Sequence, residues 1–217
     1  MSRGKKLFCV VLGPDSSGKT TLIKNLKIEE TSWKYISANP TDLYPIDGIE
    51  YQNWTLVTHP RKYMNNMKPF TRAAFYINTL SIEYEYYIKG WIENGEIIIC
   101  DSYWYRFLVK EEVYNPKGNF LFKEFVKNLP IPDIIIWLEP DLMKSYYRKS
   151  IGKFEVMNQE ISLNNYIELQ KKVINEIKSM TKHISSYSID ANQKPEAIAK
   201  EVRKIIASKG GVSKCAE

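Results

Sequence analysis

Histidine and cysteine are scarce in this chain, at two and three residues among 217. The cysteines, Cys9, Cys100 and Cys215, stand far apart and match no metal-binding or redox spacing. That excludes a disulfide scaffold and fits a reducing, cytoplasmic compartment. Cys9 and Cys100 lie inside apolar runs, where a thiol serves as a small hydrophobe. No apolar run approaches the length of a membrane span, so no membrane partner is expected. The basic opening MSRGKKLFCVVLG has too short an apolar stretch for a secretory leader, and no small-residue cleavage site follows. Internal repeats and low-complexity tracts are also missing, which removes solenoid and fibrous classes.

What remains is an ordinary mixture: 44% hydrophobic, 26% charged, with 31 basic against 25 acidic residues for a net charge of +6. Much of the excess sits near the two ends, where a solvated surface accounts for it. A chain of this length makes one domain, with room for a small lid. Four apolar, β-branched runs stand out: KLFCVVL (6–12), EIIICD (96–101), DIIIWL (133–138) and SYSID (186–190), with WKYIS (33–37) a weaker fifth. The first three are nearly continuous in apolar character, as strands buried on both faces must be. Helical periods lie between them. Ala73, Ile77, Leu80, Tyr84, Tyr87 and Trp91 form one stripe ending near Gly95; Leu163, Tyr166, Ile167, Val173, Ile174, Ile177 and Met180 form another. A last helix follows Pro195, with Ile198, Val202, Ile205 and Ile206 on its apolar side. Alternating strands and helices imply an α/β fold with a parallel sheet covered on both faces.

The first strand runs into GPDSSGKT, Gly13 to Thr20, which has the two glycines, lysine and hydroxyl of a phosphate-gripping P-loop. The chemistry explains the residue types. Gly13 and Gly18 let the backbone curl so that successive N–H groups point inward at phosphate oxygens. A helix starting near Gly18 adds the positive end of its dipole. Lys19 can reach the β- and γ-phosphates, and Thr20 offers a hydroxyl to Mg²⁺. Ser16, Ser17 and Thr21 complete the candidate set around a bound ATP. Asp101 ends a buried strand at its C-terminal tip, where open α/β sheets place their chemistry. A carboxylate there can hold Mg²⁺ or accept a substrate proton. No guanine-reading Asn-Lys-x-Asp and no transporter-ATPase signature accompanies the loop.

The arrangement GPDSSGKTT … ICDSYWYR … IIIWLEPDLMKSYYRKSIGKFE … YSIDANQKPEAIAKEVRKII resembles thymidylate kinases over most of the chain. The resemblance implies a P-loop nucleoside triphosphate hydrolase fold: a five-stranded parallel sheet with helices on both faces. It also implies a small basic lid at about 141–160 and an acceptor-side insertion at about 39–70. It gives Asp15, inside the P-loop, a contact to the acceptor's sugar and phosphate region. Arg148, Lys149 and Lys153 become lid cations over the transferring phosphoryl group, with Arg148 first among them, and Phe75 becomes the aromatic that stacks the acceptor base. Two departures stand out. The family's arginine after the strand-end Asp is Ser102 here, and the second acceptor-gripping arginine is Thr79. Arg106 and Arg72 are the candidate replacements, and Tyr103 is a candidate pocket wall together with Trp104 and Tyr105.

The resulting expectation is an ATP- and Mg²⁺-dependent kinase whose catalytic set is Lys19, Asp15, Arg148 and Asp101. The acceptor expected first is a pyrimidine deoxynucleoside monophosphate such as dTMP. The missing arginines support a second acceptor class, an unphosphorylated hydroxyl on a nucleoside, a natural-product sugar or a hydroxymethylated pyrimidine base in DNA. A DNA acceptor is the less favoured of these, a homodimer is compatible, and a nucleotide-binding module without catalysis is a third class.

Overall fold

The structure is a computed structural model that describes residues 6–36, 67–114, 119–148 and 162–210. Five strands form one parallel sheet: β1 (Leu7–Leu12), β2 (Lys34–Ile36), β3 (Ile97–Asp101), β4 (Ile134–Glu139) and β5 (Ser185–Asp190), in the order β2-β3-β1-β4-β5. All five apolar runs therefore become strands, with ends moved by one or two residues. β1 is central, pairing Val11 with Asp101 on one side and Leu12 with Trp137 on the other. Both neighbours come from runs that are apolar throughout, as a strand with no solvent face requires.

Alternation along the strands divides the core in two. Phe8, Val10, Leu12, Ile98, Cys100, Ile135 and Trp137 face one side, and Leu7, Cys9, Val11, Ile99, Ile134, Ile136 and Leu138 face the other. The second layer is covered by α1 (Lys19–Glu29) and a C-terminal helix at Pro195–Gly210. The first is covered by four helical segments. They are α2 (Pro69–Glu83), continued through a π-helical turn (Tyr84–Ile88) into α3 (Lys89–Glu93), then α4 (Tyr103–Tyr114), α5 (Phe120–Val126) and, after α6 (Leu142–Arg148), α7 (Leu163–Met180). The Pro195–Gly210 helix is α8.

The long stripe expected from Ala73 to Trp91 is broken by the π-turn. One extra residue per turn shifts the phase, so Glu83 and Ile88 are buried while Tyr84 and Tyr87 are only half-buried. Periodicity could not show this, because a simple 3.6 period puts Tyr84 and Tyr87 inward. Gly95 then takes φ +75°, which lets the chain turn from α3 into β3. The expected insertion at 39–70 and lid at 141–160 lie mostly outside the described residues. Only 67–70 and 141–148 belong to them. Among the described residues no helix is long and apolar enough to cross a membrane.

Candidate active site

The C-terminal tips of β1, β3 and β5 open onto one cleft of about 490 Å³. One wall is the β1–α1 loop, contributing Asp15 to Leu22; Asp101 and Arg106 come from β3 and α4; Ala191, Gln193, Pro195 and Ile198 close the far side. The size suits a nucleotide-scale ligand.

The loop's shape depends on its glycines. A Cβ on Gly13 would stand 2.7 Å from the Leu138 carbonyl oxygen and 2.8 Å from Ser17 Oγ, so nothing larger fits against β4. Gly18 has φ +93° and leads into α1, where the left-handed conformation disfavours a side chain. Between them Ser16 also has positive φ, and its hydroxyl oxygen is buried with no hydrogen-bond partner among the described residues. A buried, unsatisfied hydroxyl in a curled loop fits a ligand that supplies acceptor oxygens.

Lys19 folds back over this loop. Its ammonium donates to the carbonyls of Gly13 (3.0 Å) and Pro14 (2.8 Å) and to Ser17 Oγ (3.2 Å). Burial lowers its pKa to about 8, with the Arg106 charge adding to the effect and Asp101 and Asp15 opposing it. The ammonium thus rests on weak, neutral acceptors beside the position where phosphate oxygens would lie.

Asp15 is the most constrained group of the site, only 2% exposed. Its carboxylate accepts from the Arg106 guanidinium, from Lys110 Nζ (2.8 Å) and from Gln170 Nε2 (3.0 Å). Its backbone is held as well. The Asp15 N–H donates to Gln170 Oε1 (3.1 Å), and the Tyr166 hydroxyl donates to the Asp15 carbonyl (3.2 Å). Burial alone would raise this carboxyl's pKa, but Arg106, Lys110 and Lys19 hold it well below the usual carboxylate range. A carboxylate so stabilised in its ionised form is a poor proton acceptor.

Asp101 differs. It lines the cleft, and its Oδ1 accepts from Ser102 Oγ (2.7 Å). The bend that positions it is strained: Ser102 and Tyr103 have φ +66° and +46°, and the Ser102 N–H donates to Val11 O (2.9 Å). Two consecutive non-glycine residues in that region cost about 1–3 kcal/mol each, a concentration typical of functional sites. The oxygen-only pair Thr20 and Asp101 suits a hard cation such as Mg²⁺, which takes few protein ligands when phosphates provide the rest. Among the described residues no group of three or more His, Cys, Asp or Glu forms a self-sufficient metal site.

Asp15 to Thr21, Asp101 and Arg106 therefore surround one cleft, Gly13 shapes the loop from behind against β4, and other sequence candidates lie elsewhere. Arg72 is buried in an ion pair with Glu111, its Nη2 donating at 2.8 Å to Oε2 and its Nη1 at 3.1 Å to the Met67 carbonyl. It is not among the residues lining the cleft. Tyr103 is not a pocket wall in this structure. The positive φ turns its ring into the core, 5.3 Å from Phe8, with its hydroxyl donating to Pro130 O (3.3 Å). Phe75 lies half-buried against the same core beside Tyr76. The Thr79 hydroxyl bonds back to the Phe75 carbonyl (3.0 Å) within α2. Arg148 ends α6, its side chain outside the described residues together with Lys149 and Lys153.

Residues missed from sequence fall into two groups. Lys110, Tyr166 and Gln170 hold Asp15; Gln170 interrupts the apolar stripe of α7, and a buried polar residue on such a stripe is a signal for a polar partner. Ala191, Gln193, Pro195 and Ile198 were legible in principle, since β5 must end on the same rim as the P-loop in a parallel sheet.

Neither a family model nor a curated protein matches this chain. Among solved structures, a deoxyadenosine kinase from M. mycoides with bound dATP is similar at TM-score 0.61 and 15% identity, covering 92% of this chain and 99% of its own. The same enzyme with the products dCMP and a flexible dCDP matches at TM-score 0.61 and 14% identity, covering 92% of this chain and 98% of its own. The likeness establishes the fold. It is shared with a nucleoside kinase, and the narrower likeness to thymidylate kinases rests on sequence motifs alone.

Proposed function

We propose that this chain is an ATP-dependent kinase that phosphorylates a hydroxyl group of a nucleoside-type acceptor. The observation that carries this reading is the contrast between two carboxylates of one cleft: Asp15 is paired directly with two cations, whereas among the described residues the Asp101 carboxylate accepts from the Ser102 hydroxyl and forms no ion pair. A hydroxyl acceptor must lose a proton as it attacks, and Asp101 is the group placed to take it. The fold shared with the M. mycoides deoxyadenosine kinase supports the same acceptor class.

Each residue then has a definite task. The loop amides and the Lys19 ammonium bind the triphosphate tail and counter charge on the moving phosphoryl group. Thr20 would hold Mg²⁺; when bound, the ion would neutralise phosphate charge and fix the donor's orientation. Ala191, Pro195 and Ile198, with Leu22, offer an apolar surface for the donor's base. Arg148, Lys149 and Lys153 supply the covering cations, as the sequence resemblance implies. The strained bend at Ser102 and Tyr103 fixes the base relative to the P-loop.

A phosphorylated acceptor such as dTMP is the second reading, favoured by the presence of Arg106 on the cleft wall. It needs no general base, but it does need a cation, and Arg106 is already paired. The test supplies ATP and Mg²⁺ with thymidine, deoxyadenosine, dTMP and DNA containing hydroxymethyluracil in parallel. Turnover of a nucleoside, or of the hydroxymethyl group in DNA, supports the hydroxyl reading and identifies the acceptor. Turnover of dTMP alone removes it. ATP binding without transfer to any acceptor would leave a nucleotide-binding module.

A further inference from the structure

Cations on the acceptor side of the cleft meet an anion that belongs to the protein. Arg106 and Lys110 stand one helical turn apart on α4, and both donate to the Asp15 carboxylate. That carboxylate cannot simply rotate away. Gln170 grips both its side chain and its backbone N–H, and Tyr166 donates to its carbonyl. Three elements, the P-loop, α4 and α7, thus converge on one buried negative charge.

We propose that Asp15 is a specificity-determining counter-anion that occupies the anion position on Arg106 and Lys110 and thereby excludes phosphorylated acceptors. The inference rests on the phosphoryl-transfer reading above and adds to it the chemical class of acceptor: uncharged at the end nearest α4. A phosphate monoester carries between one and two negative charges at neutral pH. To reach Arg106 it must either sit beside this carboxylate or break the carboxylate's bonds to α4 and α7. A neutral hydroxyl meets neither obstacle. This is discrimination by repulsion, which needs no contact with the favoured substrate.

The decisive experiment removes the charge and keeps the shape. In a Lys19→Ala background, which removes the P-loop's own phosphate-binding ammonium, the full chain is titrated calorimetrically with inorganic phosphate, with and without Asp15→Asn. Circular dichroism checks that each variant is folded. Asp15→Asn is expected to raise phosphate affinity at least about tenfold, and adding Arg106→Met is expected to abolish the gain. A folded Asp15→Asn variant with no gain overturns the proposal. Wild-type protein supplies an independent reading should the variants not fold. Thymidine is expected to bind as well as dTMP or better, and a tenfold preference for dTMP overturns the proposal. Absence of turnover with every acceptor counts against the kinase reading alone, because both titrations read binding without chemistry.

Discussion

Asp15 and Glu83 are both buried carboxylates, and their protons behave in opposite ways. Asp15 lies where three elements deliver Arg106, Lys110 and Gln170, and it stays ionised. Glu83 lies at the end of α2 where the π-turn begins, near Cys100 and Tyr103, and no ion pair reaches it among the described residues. Burial pushes its pKa up to about 8, so it is protonated at neutral pH. Depth in the fold does not distinguish them; the partners brought by neighbouring helices do. At the P-loop the chain builds a fixed charge, and at the π-turn it buries a neutral acid. On the proposed reading, Asp101 is the carboxylate that would accept the proton.

The most severe test of that division is Asp101→Asn. If Asp101 is the base, kcat should fall about 10²–10⁴-fold with the KM for ATP little changed, measured by steady-state kinetics at saturating Mg²⁺. Should the activity return when Mg²⁺ is raised, Asp101 belongs to the metal rather than to the proton. Asp15→Asn should not reproduce the loss, because a carboxylate held ionised by two cations was never the proton acceptor.

Glu83→Gln separates the two buried acids by stability. The folded-state pKa of Glu83 is raised above its ordinary 4.5. Its protonation therefore favours folding at low pH, and that contribution is lost as pH rises from about 4.5 to about 8. A neutral glutamine escapes the loss. The variant should match wild type near pH 4 and exceed it at pH 8 by on the order of 4 kcal/mol, read from denaturant melts at both pH values. Equal stability at pH 8 would mean that a cation reaches Glu83 after all.

Arg106→Met makes the opposite change by leaving Asp15 with one cation fewer. Loss of a charged partner of a buried group costs about 1–3 kcal/mol, with Lys110 and Gln170 still in place. The sign with pH is also opposite to that of Glu83. A depressed carboxyl pKa contributes stability above the unfolded value and loses it as pH falls. The deficit of Arg106→Met should thus be full at pH 7 and shrink below about pH 4, followed by thermal melts across that range.

How much of this was legible beforehand depends on whether the signal was local. The strands declared themselves because a parallel strand buried on both faces is apolar throughout, and the P-loop because its glycines and lysine must be adjacent in sequence. The α4 helix was not read as a helix. Its sequence YWYRFLVKEEVY carries aromatic and charged residues on the same faces, since Arg106, Lys110 and Glu111 point inward to partners up to 95 residues away. Arg72 is a sequence candidate as a replacement for the family's missing acceptor arginines at the start of the long helix, and Tyr103 because it lies just beyond the strand end at Asp101. A helix phase and a positive φ direct them into the core instead, and neither is visible in residue order. The π-turn is the same kind of event: one extra residue moved the stripe, and no composition records it.

Lys19 gives the smallest and most specific effect. It lies within the field of the Asp15 cluster, yet its own hydrogen bonds go to neutral oxygens, and burial brings its pKa to about 8. Triphosphate oxygens in place of those carbonyls would favour the charged form and raise that pKa in the complex. Binding above pH 8 then requires proton uptake, and affinity must fall as pH rises. Between pH 7 and pH 9 the dissociation constant for ATP should rise by about tenfold, with calorimetry in buffers of different ionisation heat reporting up to one proton taken up. Lys19→Arg, which cannot deprotonate in this range, should bind ATP with little dependence on pH. A pH-independent wild type would show that the ammonium of Lys19 already has a charged partner before nucleotide arrives, and that Asp15 is shared between α4 and the P-loop lysine rather than committed to α4.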